Sequence, residues 1–110
     1  MSLRDLIERA DDRKVAPVEV PEWNCTVYLR QLSVDERNTL ISQLNEDNAG
    51  RFPVYVLLSC LCDERGNPVF TNKDYAVLAG KNARVVDRLG REASRLNYMT
   101  GDALDDAKKD

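Results

Sequence analysis

The 110-residue chain contains no histidine. That absence excludes serine and cysteine nucleophiles paired with an imidazole base, the HExxH metalloprotease helix and the Cys2His2 zinc finger. Cysteine is scarce and odd in number, with Cys25, Cys60 and Cys62 only. Four thiolates for a structural zinc site are therefore missing, and the count suits free thiols in a reducing compartment. The five glycines form neither GxGxxG nor GxxxxGK[ST], so no phosphate-cradling loop is visible. There is no excess of positive charge: 16 Lys and Arg stand against 19 Asp and Glu, a net charge of −3, which argues against a nucleic-acid binder. No apolar run approaches the roughly 18 residues of a membrane span; the longest, Val54 to Cys62, is broken by Ser59. The N-terminal MSLRDLIERADDRK carries acids and no long apolar stretch, unlike a secretory leader.

What is present suits a small folded domain. Hydrophobic residues make up 43% of the chain and charged residues 32%, enough to build one modest core. Three Ser or Thr residues are followed three positions later by an acid: Ser2 and Asp5, Ser33 and Glu36, Thr71 and Asp74. Each marks a helix start, because the hydroxyl accepts from an orphan amide and the acid reaches back. Glu36 fits this box fully, whereas Asp5 and Asp74 are shorter and fit less well.

The first predicted helix spans about Leu3 to Ala10, with Leu3, Leu6 and Ile7 on one stripe. Between Val15 and Leu32 the pattern changes to period two on both sides of Pro21-Glu22-Trp23-Asn24, which predicts a β-hairpin with its prolines at the edge or the turn. A second helix is predicted from Ser33 to about Leu44, with Val34, Leu40, Ile41 and Leu44 on one face. Pro53 can open a third. Residues 54–61 are apolar nearly all round, so periodicity allows a buried helix or a buried strand; length and the proline start favour the helix. Asp63 to Pro68 reads as a turn, and Val69-Phe70 as a brief extended piece. Helices from Asn72 to Ala79 and from about Asn82 to Asn97 complete the pattern.

These readings define an α+β fold, a predominantly helical single domain with one N-terminal β-hairpin. Residues 1–14 form a short helix or arm, 15–98 the domain and 99–110 a disordered acidic tail. The expected core is Trp23, Cys25, Val27, Leu29, Leu40, Ile41, Leu44, Val56, Leu57, Cys60, Leu61, Phe70, Leu78, Val86, Leu89 and Leu96.

Most candidate sites reduce to simpler readings. Cys60 and Cys62 on a helix would point about 200° apart, so the cysteines read as small core residues. The run from Asn45 to Val56 imitates a calcium loop but offers Val56 where a bidentate carboxylate is required. The acid pairs Asp11-Asp12, Asp63-Glu64 and Asp105-Asp106 lie in turns or tails, without the facing geometry of a glycosidase. The last helix carries more. Arg84, Arg88, Arg91 and Arg95 fall within a stripe about 60° wide, opposite Val85, Val86, Leu89, Ala93 and Leu96. They are candidate contacts for an acidic partner or, more simply, a solvated face, partly neutralised if Asp87 pairs with Arg91 and Arg88 with Glu92. Residues 71–97 also have the spacing of a helix-turn-helix, with Ala76 between the helices, Gly80 at the turn, and Arg84 and Arg88 aimed at a groove.

The order of features resembles a known family. VPEW leads into a strand at Val20 to Leu29; RQLSVDER opens a helix at Arg30 to Arg37; an apolar helix closes in LCDERGNPVF, Leu61 to Phe70; DRLGREASRLN, Asp87 to Asn97, ends the match. This is similar to the tail assembly chaperones of long non-contractile-tailed, lambda-like bacteriophages, over roughly residues 3–98. The resemblance implies a non-enzymatic role in the host bacterial cytoplasm, without cofactor. It implies binding and solubilising the tape measure protein, helping to recruit tail tube protein around it, and self-association.

Overall fold

The computed structural model describes residues 1–99, so the expected tail lies outside the described residues except for Met99. The fold is α+β and predominantly helical, with five α-helices and a three-stranded antiparallel sheet among the described residues. In chain order these are α1 (Leu3–Arg9), β1 (Val15–Val20), β2 (Cys25–Arg30), α2 (Val34–Ser42), α3 (Phe52–Cys60), β3 (Leu61–Cys62), α4 (Tyr75–Ala79) and α5 (Ala83–Leu96). Short 3₁₀ turns occupy Pro21–Trp23, Ala49–Arg51 and Asn72–Asp74.

The helix-start signals act as capping boxes at all three sites. Ser2, Ser33 and Thr71 each accept from an amide of the following turn, while Asp5, Glu36 and Asp74 return a carboxylate to the cap amide. The shorter aspartates therefore close the box as Glu36 does, a correction to the expectation that they fit less well. Pro53 lies in the first turn of α3, where its missing N–H would have had no helical partner.

The predicted hairpin forms with Val15 opposite Arg30 and Val20 opposite Cys25. Its turn closes through Asn24, whose φ of 54° is a left-handed conformation that Asn tolerates well. Gln31 donates its amide to Lys14 O at 2.9 Å. That fixes the phase of the ladder: odd-numbered residues of β2 turn their amides toward β1, and even-numbered ones away. Pro17, opposite Tyr28, then faces its missing donor toward solvent on the edge strand, where a proline costs nothing in the ladder. The third strand was not expected. Leu61 and Cys62, read as the end of an apolar helix, pair with Leu29 and Tyr28 instead. The turn that follows is the one the sequence marks: Asp63 Oδ1 accepts from the amides of Arg65 and Asn67, and Gly66 takes a φ of +87°.

The core lies between one face of the sheet and the helices. Val18, Val20, Val27 and Leu29 on that face join Leu40, Leu57, Leu78, Val86 and Leu89 in one cluster. Helix α3, apolar nearly all round, packs against α5, α4, α2 and β2, which is why it needs no polar face. Its crossing with α5 is close: a Cβ on Gly90 would lie 3.1 Å from Pro53 Cβ. The expected core is corrected at three positions. Cys25 is exposed at the turn end of β2, on the edge that the two-residue β3 leaves unpaired, and Ile41 and Leu44 are only half-buried and stand outside the cluster; Val34, expected on the same helix face, is exposed in the first turn of α2. Leu3, Leu6 and Ile7 form their stripe, but α1 buries none of its residues. Met99, placed in the tail by the sequence, is buried.

Candidate partner-binding surfaces

The four arginines singled out in the sequence lie on the solvent side of α5, opposite the buried Val85, Val86, Leu89 and Ala93. Their pairing differs from the expected one. Arg88 forms a bidentate ion pair with Glu22 in the hairpin turn, at 2.7 and 2.9 Å. Arg95 bonds Glu92 one turn back at 2.8 Å. The anticipated Asp87–Arg91 and Arg88–Glu92 pairs do not form, because Glu22 approaches Arg88 from a separate element and offers fork geometry that an i,i+4 neighbour does not. Arg84 and Arg91 are exposed and make no ion pair among the described residues. The fork holds the Glu22 carboxyl well down, to about 2. Arg88 therefore serves the fold as a latch between hairpin and helix, and Arg84 and Arg91 are the cations available to a partner.

The helix-turn-helix geometry is not reproduced. Ala76, which such a motif packs between its helices, is exposed, and Arg88, which it would aim at a groove, is bound to Glu22.

A second surface has no counterpart in the sequence reading. Because β3 is only two residues long, Cys25 to Val27 of β2 pair with β1 alone. The ladder phase leaves the amide and carbonyl of Thr26 facing outward from this free edge. The chain beyond the turn folds back: Pro68 bridges Cys62, and Val69 donates its amide to Leu61 O at 3.1 Å. Val69 and Phe70, with Val77 and Leu78 of α4, then bound an open, mainly apolar groove of about 430 Å³ that also takes in Trp23 and Val27. Val69 and Val77 are about half exposed. Asp63, Glu64 and Lys81 stand among its lining residues. Sequence reasoning missed this groove because its lining comes from four separate stretches of chain, each with too few apolar residues to signal a surface.

The cysteines divide by burial. Cys60 and Cys62 are buried and Cys25 is exposed at the groove, and all three are free thiols. Among the described residues no group of three or more Cys, Asp or Glu is placed to hold a metal ion, and no helix is long and apolar enough to cross a membrane.

No protein-family model matches the sequence, and no curated protein matches it. The fold itself is similar to that of a solved phage protein from tail assembly. That structure is the bacteriophage HK97 tail assembly chaperone, with a TM-score of 0.64, 23% sequence identity, and coverage of 84% of this chain and 91% of that one. The resemblance to tail assembly chaperones read in the sequence is thus met at the level of the fold.

Proposed function

We propose that this chain is a phage tail assembly chaperone that binds the tape measure protein, keeps it soluble and helps recruit tail tube subunits around it in the host cytoplasm. The observation that carries this reading is the match in fold to the HK97 tail assembly chaperone over nearly the whole of both chains. The role asks for no catalysis; it needs a folded scaffold with a free surface. The exposed face of α5, with Arg84 and Arg91 unpaired among the described residues, supplies cationic contacts for acidic positions along a long helical partner. Many weak contacts repeated along one polymer make avidity matter more than the strength of each.

The test is co-expression with the tape measure protein encoded beside this chain, followed by affinity pull-down and a solubility assay. A soluble complex is expected where the tape measure protein alone precipitates, and Arg84→Glu with Arg91→Glu should weaken it while the fold stays intact by circular dichroism. A folded chain that neither captures nor solubilises its partner overturns the reading.

A further inference from the structure

Thr26 sits on the part of β2 that β3 does not reach. The register places Leu29 opposite Leu61 and Tyr28 opposite Cys62, and at Asp63 the chain turns away. The outward amide and carbonyl of Thr26 therefore take part in no backbone pairing among the described residues. An unpaired amide and carbonyl on a sheet edge are a template for another strand. Here they lie beside the apolar groove. A residue bonded to Thr26 from outside would turn its side chain to the outer face, as Thr26 does. The residues next to it would turn theirs to the face that Val27 shares with the core. That face opens into the groove, which Phe70, Val77 and Leu78 line together with Val27. Charge selects nothing at this place: Lys81 and Glu64 both line the groove, and the Asp63 carboxylate is taken up by the amides of Arg65 and Asn67 in its own turn.

We propose that this edge and groove bind an extended peptide segment in which apolar and polar residues alternate, by strand addition at Thr26. The pairing is short. Asp63 borders it at one end and the left-handed turn at Asn24 at the other. One residue of the segment exchanges both backbone bonds with Thr26, and the apolar side chains next to it enter the groove. A helix does not meet these groups, because its own amides and carbonyls are bonded within the helix. Residues 100–110 of the same chain lack the pattern as well, since Leu104 is their single large apolar residue. The binding of such a segment does not depend on the chaperone reading, whose contacts lie on α5.

The probe is a short synthetic peptide of alternating valine and threonine with a lysine at each end, titrated into the full chain. It should shift the emission of Trp23, the single tryptophan, which lines the groove. In step with that shift it should slow hydrogen exchange of the Thr26 amide and alkylation of the exposed Cys25 by iodoacetamide. N-methylation of the peptide's threonine amides removes the donor to the Thr26 carbonyl and should weaken binding about tenfold. Thr26→Pro should do the same, since it removes the outward donor of β2 and, like Pro17 in β1, no bond of the ladder. If that variant fails to fold, the N-methylated peptide still decides. Val77→Lys charges the groove and should abolish binding; Val77 is exposed, so far-ultraviolet circular dichroism should be unchanged. The absence of saturable binding overturns the proposal. So does equal binding of the N-methylated peptide, or tighter binding of a leucine-rich helical peptide, because the groove would then act without the edge. Cys25 that is protected before peptide is added and freed on dilution also overturns it, since a second copy would then hold the groove.

Discussion

Tyr98 occupies the left-handed region at φ 56°, immediately after the C-cap of α5. Its amide donates to Arg95 O at 3.1 Å and the next amide, Met99, donates to Ser94 O at 2.7 Å. This pair of bonds closes the helix end in the way usually built on glycine, and it turns Met99 back into the core. A tyrosine pays about 1–2 kcal/mol for that conformation, which glycine does not. The ring is exposed and packs on little that would repay it. Tyr98→Gly should therefore raise stability by about 1 kcal/mol in urea unfolding. Gly90 presents the opposite case. An alanine there gains up to about 1 kcal/mol of helix propensity, but its Cβ would stand 3.1 Å from Pro53 Cβ and 3.2 Å from Pro53 Cα. Both atoms belong to the rigid first turn of α3, so overpacking of about 1–3 kcal/mol wins. Gly90→Ala should lower the melting temperature, and Gly90→Val should lower it further.

Between elements, the Glu22–Arg88 fork ties the hairpin turn to α5 across the surface of the molecule. Glu22 is depressed from 4.5 to about 2 by the Arg88 hydrogen bond. A carboxyl lowered on folding contributes stability that is fully present above its unfolded value. That contribution disappears as pH falls from about 4.5 toward the folded value. Trp23, the single tryptophan, lies next to Glu22 and packs against the core. Its emission should report a transition in that acid window at low salt, before global unfolding. In Glu22→Gln the same transition should be missing, and the hairpin should be looser already at neutral pH. The end of α5 is held differently. The Asn97 side chain accepts from Leu32 N at 2.7 Å and donates to Ala93 O at 2.9 Å and Arg30 O at 3.2 Å, so one amide joins helix end to strand end without any charge.

At the scale of the whole molecule, the core is one cluster that takes in the inner sheet face and residues of α2 to α5. Leu57 is fully buried near its centre. Leu57→Ala should cost about 2–5 kcal/mol in denaturant unfolding, the range for a buried leucine whose cavity cannot collapse. Because hairpin and helices share that cluster, helix content and Trp23 emission should be lost in coincident transitions, in wild type and variant alike. Separated transitions would mean that the hairpin is an independently stable unit.

How much of this was legible beforehand follows from the range of the interactions involved. The sequence by itself determined the helix starts, the hairpin, the Asp63 to Pro68 turn and the apolar face of α5. Capping boxes, prolines, turn residues and apolar periodicity act within a few positions, so the same short stretch that carries the signal also carries its cause. Only the tertiary structure decided the rest. Cys25 belongs to an alternating apolar strand, yet it is exposed, lining the groove beside the edge of β2 that the short β3 leaves unpaired. Leu61 and Cys62 pair with β2 because the end of α3 lands beside it, across a gap of more than 30 residues. Arg88 was one of four equivalent arginines until folding brought Glu22, 66 positions away, into reach of its fork. The groove combines Trp23 and Val27 with Val69, Phe70, Val77 and Leu78. Such surfaces arise from the meeting of distant segments, and which segments meet is settled by burying the shared core, a non-directional force that leaves no local mark on any one of them.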